Sequence, residues 1–344
     1  MSVKCLKQLK LKRFEQNPIL SPNPMHDWES LVTTNPGAWY DEETGKVMLL
    51  YRAAGNDAEH VVRLALATSE DGYHFQRHDT PFFSPSKDGF DAGCVEDPRI
   101  VNHDGCYLIT YATRPYPPGE YWLSPRKRWR PPLVNPCYPH AFRTNSTSTG
   151  LLITHDFRTF IRAGRITDPT LDDRDVVLFP EKIGGEYYMM HRPMEWVGDE
   201  YGTVFPSIWI AHGEDLLKLG NSQLLVSAKY DWETKIGGNT PPILTDEGWL
   251  TIYHAVGPDE HYRLGALLLD RDDPTRVLHR TPNWILQPEL DYEIHGPYEG
   301  CVFPCGKVVL NGILFVYYGG ADKYVALATC PLDEIIDHLL ACPD

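Results

Sequence analysis

No stretch of this sequence reaches the roughly 18 consecutive apolar residues that a membrane-crossing helix needs. Positive charge is also scarce. Lys and Arg number 32 against 47 Asp and Glu, a formal net charge of -15. That balance argues against nucleic acid or an anionic membrane as partner, and leaves room for a local basic pocket that holds a small anion. The first residues, Met1 to Phe14, are basic but lack the apolar core of a signal peptide. The eight cysteines, at 5, 94, 106, 137, 301, 305, 330 and 342, include no CxxC pair, and Cys301 and Cys305 have no matching second pair. Reduced thiols in a cytoplasmic protein are the expectation. Histidines are not paired at ligand spacing, so no metal is expected. Helical periodicity is rare too. The best candidate is Leu332 to Leu340, where apolar residues recur at helical spacing, and it reads as a packing or oligomer-contact helix.

What is present is a repeat. Hydrophobic residues make up 42% and aromatics 12%, a composition suited to strands. Five segments share one order: a proline, a turn with Gly, then an apolar strand closing on an aromatic or His. Their strand ends are Leu49-Leu50-Tyr51-Arg52, Ile109-Thr110-Tyr111-Ala112, Met189-Met190-His191-Arg192, Thr251-Ile252-Tyr253-His254 and Phe315-Val316-Tyr317-Tyr318. The leading prolines, 36, 98, 180, 242 and 304, are separated by 62, 82, 62 and 62 residues. A second apolar strand follows each unit, and an edge-like strand with flanking prolines follows some of them. About four short strands per repeat describe a propeller blade. The expected fold is therefore all-β: a five-bladed β-propeller in a single domain over residues 1–344. It carries a short C-terminal helix, a loop inserted at about 114–145, and a closing strand near Ile19. Loops of that length are usually lids or contact sites.

In a propeller the innermost strands line a central channel. The residue just after each repeat's aromatic or His reads Arg52, Ala112, Arg192, His254 and Tyr318. Three of these are potentially cationic, and Arg174 and Lys235 sit in loops just ahead of repeat prolines. Taken singly, each is a solvated strand end; taken together, they point at a common anion or sugar. The residue before each repeat proline reads Asn35, Asp97, Phe179, Pro241 and Phe303. Asp97 is the one acid there. Asp before Pro is commonly a turn residue, but Glu96 adjoins it and Arg99 follows. A crowded carboxylate pair raises one pKa, which a general acid near neutral pH needs. Glycoside hydrolysis normally uses two opposed carboxylates. Phosphate needs no base, only Arg, Lys or His donors to hold it. One acid with a basic cluster fits phosphorolysis better than hydrolysis.

The motifs Asn35-Pro36-Gly37-Ala38, Val95-Glu96-Asp97-Pro98-Arg99-Ile100, Arg174-Asp175-Val176-Val177-Leu178-Phe179-Pro180, His191-Arg192-Pro193, Lys235-Ile236-Gly237-Gly238-Asn239-Thr240-Pro241-Pro242, Tyr253-His254 and Tyr317-Tyr318-Gly319-Gly320-Ala321-Asp322 occur in order. Together they resemble glycoside hydrolase family 130, the β-mannoside phosphorylases and related mannosidases, over nearly the whole chain except the insertion. The resemblance implies a five-bladed propeller with Asp97 as general acid, its proton passing through the 3-hydroxyl of the bound mannose. It further implies phosphate held by Arg174, Arg192, Lys235 and His254, and mannose held by Asn35, Arg52 and Asp322. The expected activity is reversible, inverting phosphorolysis of terminal β-mannosides to α-mannose 1-phosphate, with phosphate as co-substrate and no cofactor. β-Mannooligosaccharide and phosphate are then the partners, and a homo-oligomer is an expected form of the protein. The linkage (β-1,2, β-1,3 or β-1,4) and the acceptor sugar stay open. Two other readings remain: a β-mannosidase using Glu181 or Glu195 as base, and a sugar-binding propeller without turnover.

Overall fold

The structure is a computed structural model, and it describes residues 8–56, 61–117 and 136–342. Its strands form five antiparallel sheets, the blades of a five-bladed propeller. Blade 1 runs from its inner strand Val32–Asp41 through Lys46–Ala54 and Arg63–Ser69 to Gln76–Arg77. Blade 2 comprises Cys94–His103, Cys106–Arg114, Ser148–Thr154 and Ile161–Arg165. Blade 3 comprises Asp173–Leu178, Tyr187–Pro193, Ile208–Gly213 and Gly220–Val226. In blade 4 the inner edge is split into Lys235–Gly238 and Ile243–Thr245, followed by Gly248–Val256, Tyr262–Leu269 and Val277–Arg280. Blade 5 takes Val302–Leu310, Ile313–Gly320 and Tyr324–Pro331 from the C-terminal end and its outer strand, Lys12–Arg13, from the N-terminal end.

That last pairing closes the ring, with Lys12 opposite Thr329 and Arg13 opposite Ala328. The closing strand thus lies before Ile19, and the segment at Ile19 and Leu20 adds a bridge to Val325. Leu332–Ala341 is a helix that buries Ile335, Ile336 and Leu339 against Leu9, Leu11, Leu268 and Ile285. Its apolar face serves packing between the last two blades. No helix among the described residues is long and apolar enough to cross a membrane. Of the insertion expected at 114–145, the part from 118 to 135 lies outside the described residues; a short helix, His140–Thr144, follows it.

Four blades carry the same buried staple. The tyrosine of the second strand donates to a carboxylate from the segment before the inner strand, and an arginine of the outer strand pairs with that carboxylate. Tyr51 and Arg77 both reach Glu29 Oε2 at 2.8 Å. Tyr111 and Arg162 meet on Asp91. Tyr253 and Arg280 meet on Glu233 Oε1 at 2.9 and 2.5 Å. Tyr318 and Arg13 meet on Glu293 Oε1 at 2.7 and 2.8 Å. Blade 3 substitutes His191, placed between Asp173 (2.9 Å) and Ser222 (3.2 Å). The staples correct the sequence alignment in blade 5. Tyr318 occupies the place of Tyr51 and Tyr253, so the counterpart of Arg52 is Gly319, whose missing Cβ would lie 2.1 Å from Asn35 Oδ1.

Strand register corrects the proline alignment as well. Thr34, Glu96, Arg174, Gly237 and Phe303 pair with Arg52, Ala112, Arg192, His254 and Gly319. The equivalents of Asp97 are therefore Asn35, Asp175, Gly238 and Pro304, in place of the expected Phe179, Pro241 and Phe303. In blades 1 to 3 the ladder skips at this point, a β-bulge. Asn35, Asp97 and Asp175 there adopt φ of 47°, 53° and 54°. Asn and Asp are the side-chain-bearing residues that tolerate this left-handed backbone, and bulges re-aim side chains beside active sites.

Arg13 is the staple residue supplied by the closing strand, and its partner Glu293 is fully buried. Arg13→Ala leaves that carboxylate without its cation. Breaking a buried pair this way costs about 3–5 kcal/mol, and a urea unfolding titration should show the midpoint falling accordingly.

Candidate active site

The bulges bring two clusters of opposite character to the same end of the inner strands. The first surrounds Asp97. Its Oδ1 accepts from Asn35 Nδ2 at 2.8 Å and lies 3.5 Å from Arg52 Nη1. Arg52 turns its other nitrogen, Nη2, to Glu96 Oε2 at 3.2 Å. Asp322 completes the group, within reach of Asn35, Arg52 and Glu96. Three carboxyls thus share Arg52. Burial, the largest cause, and the charge of Glu96 lift the Asp97 carboxyl to about 6 against the pull of Arg52 and Arg99. Burial likewise raises the Asp322 carboxyl, opposed by Arg52 and reinforced by Glu96. The Asp97 side chain is 18% exposed, against 6% for Arg52 and 8% for Glu96, and Asp322 is half-buried, so Asp97 and Asp322 are the carboxyls of this group most open to a ligand.

The second cluster surrounds Asp175. Arg192 Nε and Nη2 reach its Oδ2 at 2.7 and 2.6 Å, His254 Nε2 lies 3.6 Å from the same oxygen, and Arg99 Nη2 donates to Oδ1 at 3.3 Å. Burial alone would raise this carboxyl, but Arg192, Arg99 and Arg174 hold it well below the usual carboxylate range. Arg174 is clamped by Asp172 through Nε (2.5 Å) and Nη2 (2.8 Å), while its side chain stays 35% exposed. Lys235 Nζ donates to Tyr262 Oη at 2.9 Å. Burial first, then Arg192 and Arg174, depress its ammonium to about 7. The same causes, burial ahead of Arg192, Lys235 and Arg99, keep His254 well below the ordinary histidine value. Its Nδ1 faces Asn239 Oδ1.

Arg99, Arg174 and Arg192 thus meet two carboxylates, Asp172 and Asp175, an excess of one positive charge that becomes two below about pH 7, where Lys235 is cationic. Arg192 Nη1 and His254 Nε2 are buried with no hydrogen-bond partner, though buried polar groups normally find one. The arrangement is preloaded for a doubly charged oxyanion. Among the described residues no group of three or more His, Cys, Asp or Glu is placed to hold a metal ion.

All eight residues singled out in the sequence fall into these two clusters. Asn35, Arg52, Asp97 and Asp322 form one; Arg174, Arg192, Lys235 and His254 form the other. Arg174 and Lys235 differ from expectation in standing on inner strands rather than in loops. Sequence reasoning missed Asp175, Arg99 as a link, Asn239 and Tyr262. The signal for Asp175 was faint, since Arg174-Asp175-Val176-Val177 shares only its aspartate with Glu96-Asp97-Pro98-Arg99. Glu195 accepts from the backbone of Asp172, at 3.1 Å to each oxygen, and so supports the clamp on Arg174.

A family model described as beta-1,4-mannooligosaccharide phosphorylase, of glycoside hydrolase family 130, matches residues 10–122 and 140–340. The chain belongs to glycoside hydrolase family 130. Within it, the chain is similar to a 1,2-beta-oligomannan phosphorylase of Thermoanaerobacter sp. (strain X514), 34% identical over 334 residues that cover 95% of this chain and 99% of the relative. A beta-1,4-mannooligosaccharide phosphorylase of Ruminococcus albus is 28% identical, covering 95% and 90%. Among solved structures, the chain resembles a beta-1,2-mannobiose phosphorylase from Listeria innocua in complex with beta-1,2-mannobiose. The TM-score is 0.78 at 27% identity, covering 96% of this chain and 99% of that one. The chain is therefore an enzyme, and the relatives it matches are named as phosphorylases, which are enzymes of the glycosyltransferase type.

Gly237 has no side chain for a visible reason. A Cβ there would lie 2.3 Å from Asp175 Oδ2 and 2.5 Å from His254 Cε1, whereas at Gly238 the nearest atom is 3.4 Å away. Gly237→Ala should weaken inorganic phosphate binding at least tenfold by calorimetry, with Gly238→Ala much closer to the parent protein.

Proposed function

We propose that this protein catalyses the reversible, inverting phosphorolysis of a terminal β-mannosyl unit, giving α-mannose 1-phosphate and a shortened acceptor. The observation that carries the proposal is the opposite charge excess of the two clusters: carboxyls outnumber cations around Asp97, and cations outnumber carboxylates around Asp175. In this reading Asp97 is the general acid. Its Oδ1 is committed to Asn35 and Arg52, which leaves Oδ2 to carry the proton. Asn35, Arg52 and Asp322 hold the mannose. Arg174, Arg192, Lys235 and His254 hold phosphate, with Tyr262 orienting the Lys235 ammonium. A phosphate oxygen attacks the anomeric carbon on the face opposite the leaving group. The glycosidic C–O bond breaks, and the departing oxygen takes the Asp97 proton by way of the mannose 3-hydroxyl. Attack from the opposite face turns the β-mannoside into the α-phosphate.

Hydrolysis on this scaffold needs a base where phosphate would sit. Asp175 is the carboxylate in that place, and its cations make it a poor one. Glu181 and Glu195 are exposed, and Glu195 accepts a backbone bond. Among linkages, β-1,2 has the better support, because the relative at 34% identity and the structure at TM-score 0.78 are both named for β-1,2-linked mannosides.

Incubating β-1,2-, β-1,3- and β-1,4-mannobiose with and without phosphate tests the reading. Mannose 1-phosphate should form from the β-1,2 isomer and only with phosphate; free mannose at equal rate in its absence would refute it. Asp97→Asn should lower turnover about 10²- to 10⁴-fold, the usual worth of a general acid.

The pH profile gives an independent check. Asp97 donates only while protonated, below about 6, and Lys235 is cationic below about 7. Both groups lose the required proton as pH rises, so turnover should fall on the alkaline side across this range. Rate measurements in Lys235→Met should retain the Asp97 part of that limb with a raised KM for phosphate.

A further inference from the structure

Resting on the reading of Asp97 as the acid, we infer that Glu96 is a positioning residue that keeps Asp97 able to carry its proton by holding Arg52 away from it. The geometry is an uneven sharing of one guanidinium. Arg52 is buried between two neighbouring carboxyls of the same inner strand. Its Nη2 is 3.2 Å from Glu96 Oε2, and its Nη1 is 3.5 Å from Asp97 Oδ1. At 3.5 Å the Asp97 contact is at the weak end of hydrogen-bond length, and the Glu96 contact is the shorter of the two. Were Arg52 free to close on Asp97 to full hydrogen-bond distance, the nearer cation would favour the ionised carboxylate, and an acid that stays ionised cannot donate.

Glu96 is itself fixed from behind. Its Oε1 takes a weak bond from Cys94 Sγ at 3.7 Å and lies 3.8 Å from Arg114 Nε. Arg114 is anchored in turn on the Asn145 carbonyl at 3.0 Å. These contacts help to hold the Glu96 carboxylate in place beside Arg52. The β-bulge makes the division possible. A strand in register would send adjacent residues to opposite faces, but the left-handed turn at Asp97 lets both carboxyls of the Glu96-Asp97 pair address one arginine. Other charged or titratable groups around Asp97 are Arg99 on its own strand and Cys301 and Cys305 of blade 5, with Asp322 acting on the shared Arg52. The two thiols are buried and pushed up by that burial, and so stay neutral.

The test compares pH profiles of phosphorolysis for the parent enzyme, Glu96→Gln and Glu96→Asp. Two substrates are used: β-1,2-mannobiose, and 2,4-dinitrophenyl β-mannoside, whose leaving group needs no proton. With mannobiose, Glu96→Gln should move the alkaline limb down by about one pH unit, a roughly tenfold loss above the limb. With the dinitrophenyl substrate the loss should stay under about twofold. Glu96→Asp, which draws the carboxylate back by one methylene, should move the limb in the same direction by less, and it serves alone if Glu96→Gln does not fold. An unmoved limb, or equal loss on both substrates, overturns the inference and makes Glu96 a structural residue only. Phosphate-independent release of mannose by the parent enzyme would instead overturn the phosphorylase reading, and the limb shift could still be read from that hydrolysis.

Discussion

Arg99 is the side chain on which the centre of this molecule depends. It is 3% exposed and spends each of its nitrogens on a different blade. Nε donates to the Asn239 carbonyl of blade 4 at 2.9 Å, Nη1 to the Asp97 carbonyl of blade 2 at 3.0 Å, and Nη2 to the Asp175 carboxylate of blade 3 at 3.3 Å. The planar fork of a guanidinium suits this three-way task in a way an ammonium does not. It also separates the two half-sites. On one side lies a carboxyl whose surroundings favour the proton, on the other a carboxylate whose surroundings forbid it. Two aspartates at equivalent positions of neighbouring blades, in the same left-handed backbone, thereby acquire opposite chemistry from their neighbours alone.

That division needs a rigid frame, because a charge pattern works only while distances hold. The repeated staple supplies it. Each tyrosine of a second strand sits one residue before the position that faces the channel, at Tyr51 before Arg52, Tyr111 before Ala112 and Tyr253 before His254. Strand alternation then sends the two side chains to opposite faces. Anchoring the tyrosine to a buried carboxylate and an outer-strand arginine fixes the strand end and, with it, the functional side chain. A buried ion pair is weak support for stability but a good device for specifying one arrangement. Blade 3 carries His191 in place of tyrosine, between Asp173 and Ser222, and its channel-facing neighbour Arg192 is fixed directly on Asp175 instead.

The division of labour explains what could be read from the sequence. The five-blade repeat was legible because the alternation of aromatic anchor and channel-facing residue is a short-range pattern. It placed Arg52, Arg192 and His254 correctly. The inner strands were harder. Their common feature is a backbone conformation, and proline was only its frequent companion. Pro36 and Pro98 follow the bulge residue in blades 1 and 2, but Val176 does so in blade 3, and aligning on Pro180 passed over Asp175. In blade 5 the doubled Tyr317-Tyr318 hid a one-residue shift that only the staple to Glu293 reveals. Arg99 and Tyr262 could not be found at all by spacing, since their importance comes from contacts across blades.

Binding a dianion beside an acid that must stay protonated poses a conflict, because cations strong enough to hold phosphate would also strip the acid. Coulomb interaction weakens with distance and with intervening counter-charge. The structure uses both means. Asp172 and Asp175 neutralise part of the cationic cluster, and Glu96 sets charge of the same sign beside Asp97. Arg99, the one cation common to both sides, touches Asp97 through its carbonyl rather than its carboxyl. A hydrolytic scaffold faces no such conflict, since water brings no charge. Under the proposed phosphorolysis, the carboxylates within the cationic cluster follow from the same requirement as the cations: an oxyanion nucleophile and a neutral acid share one channel.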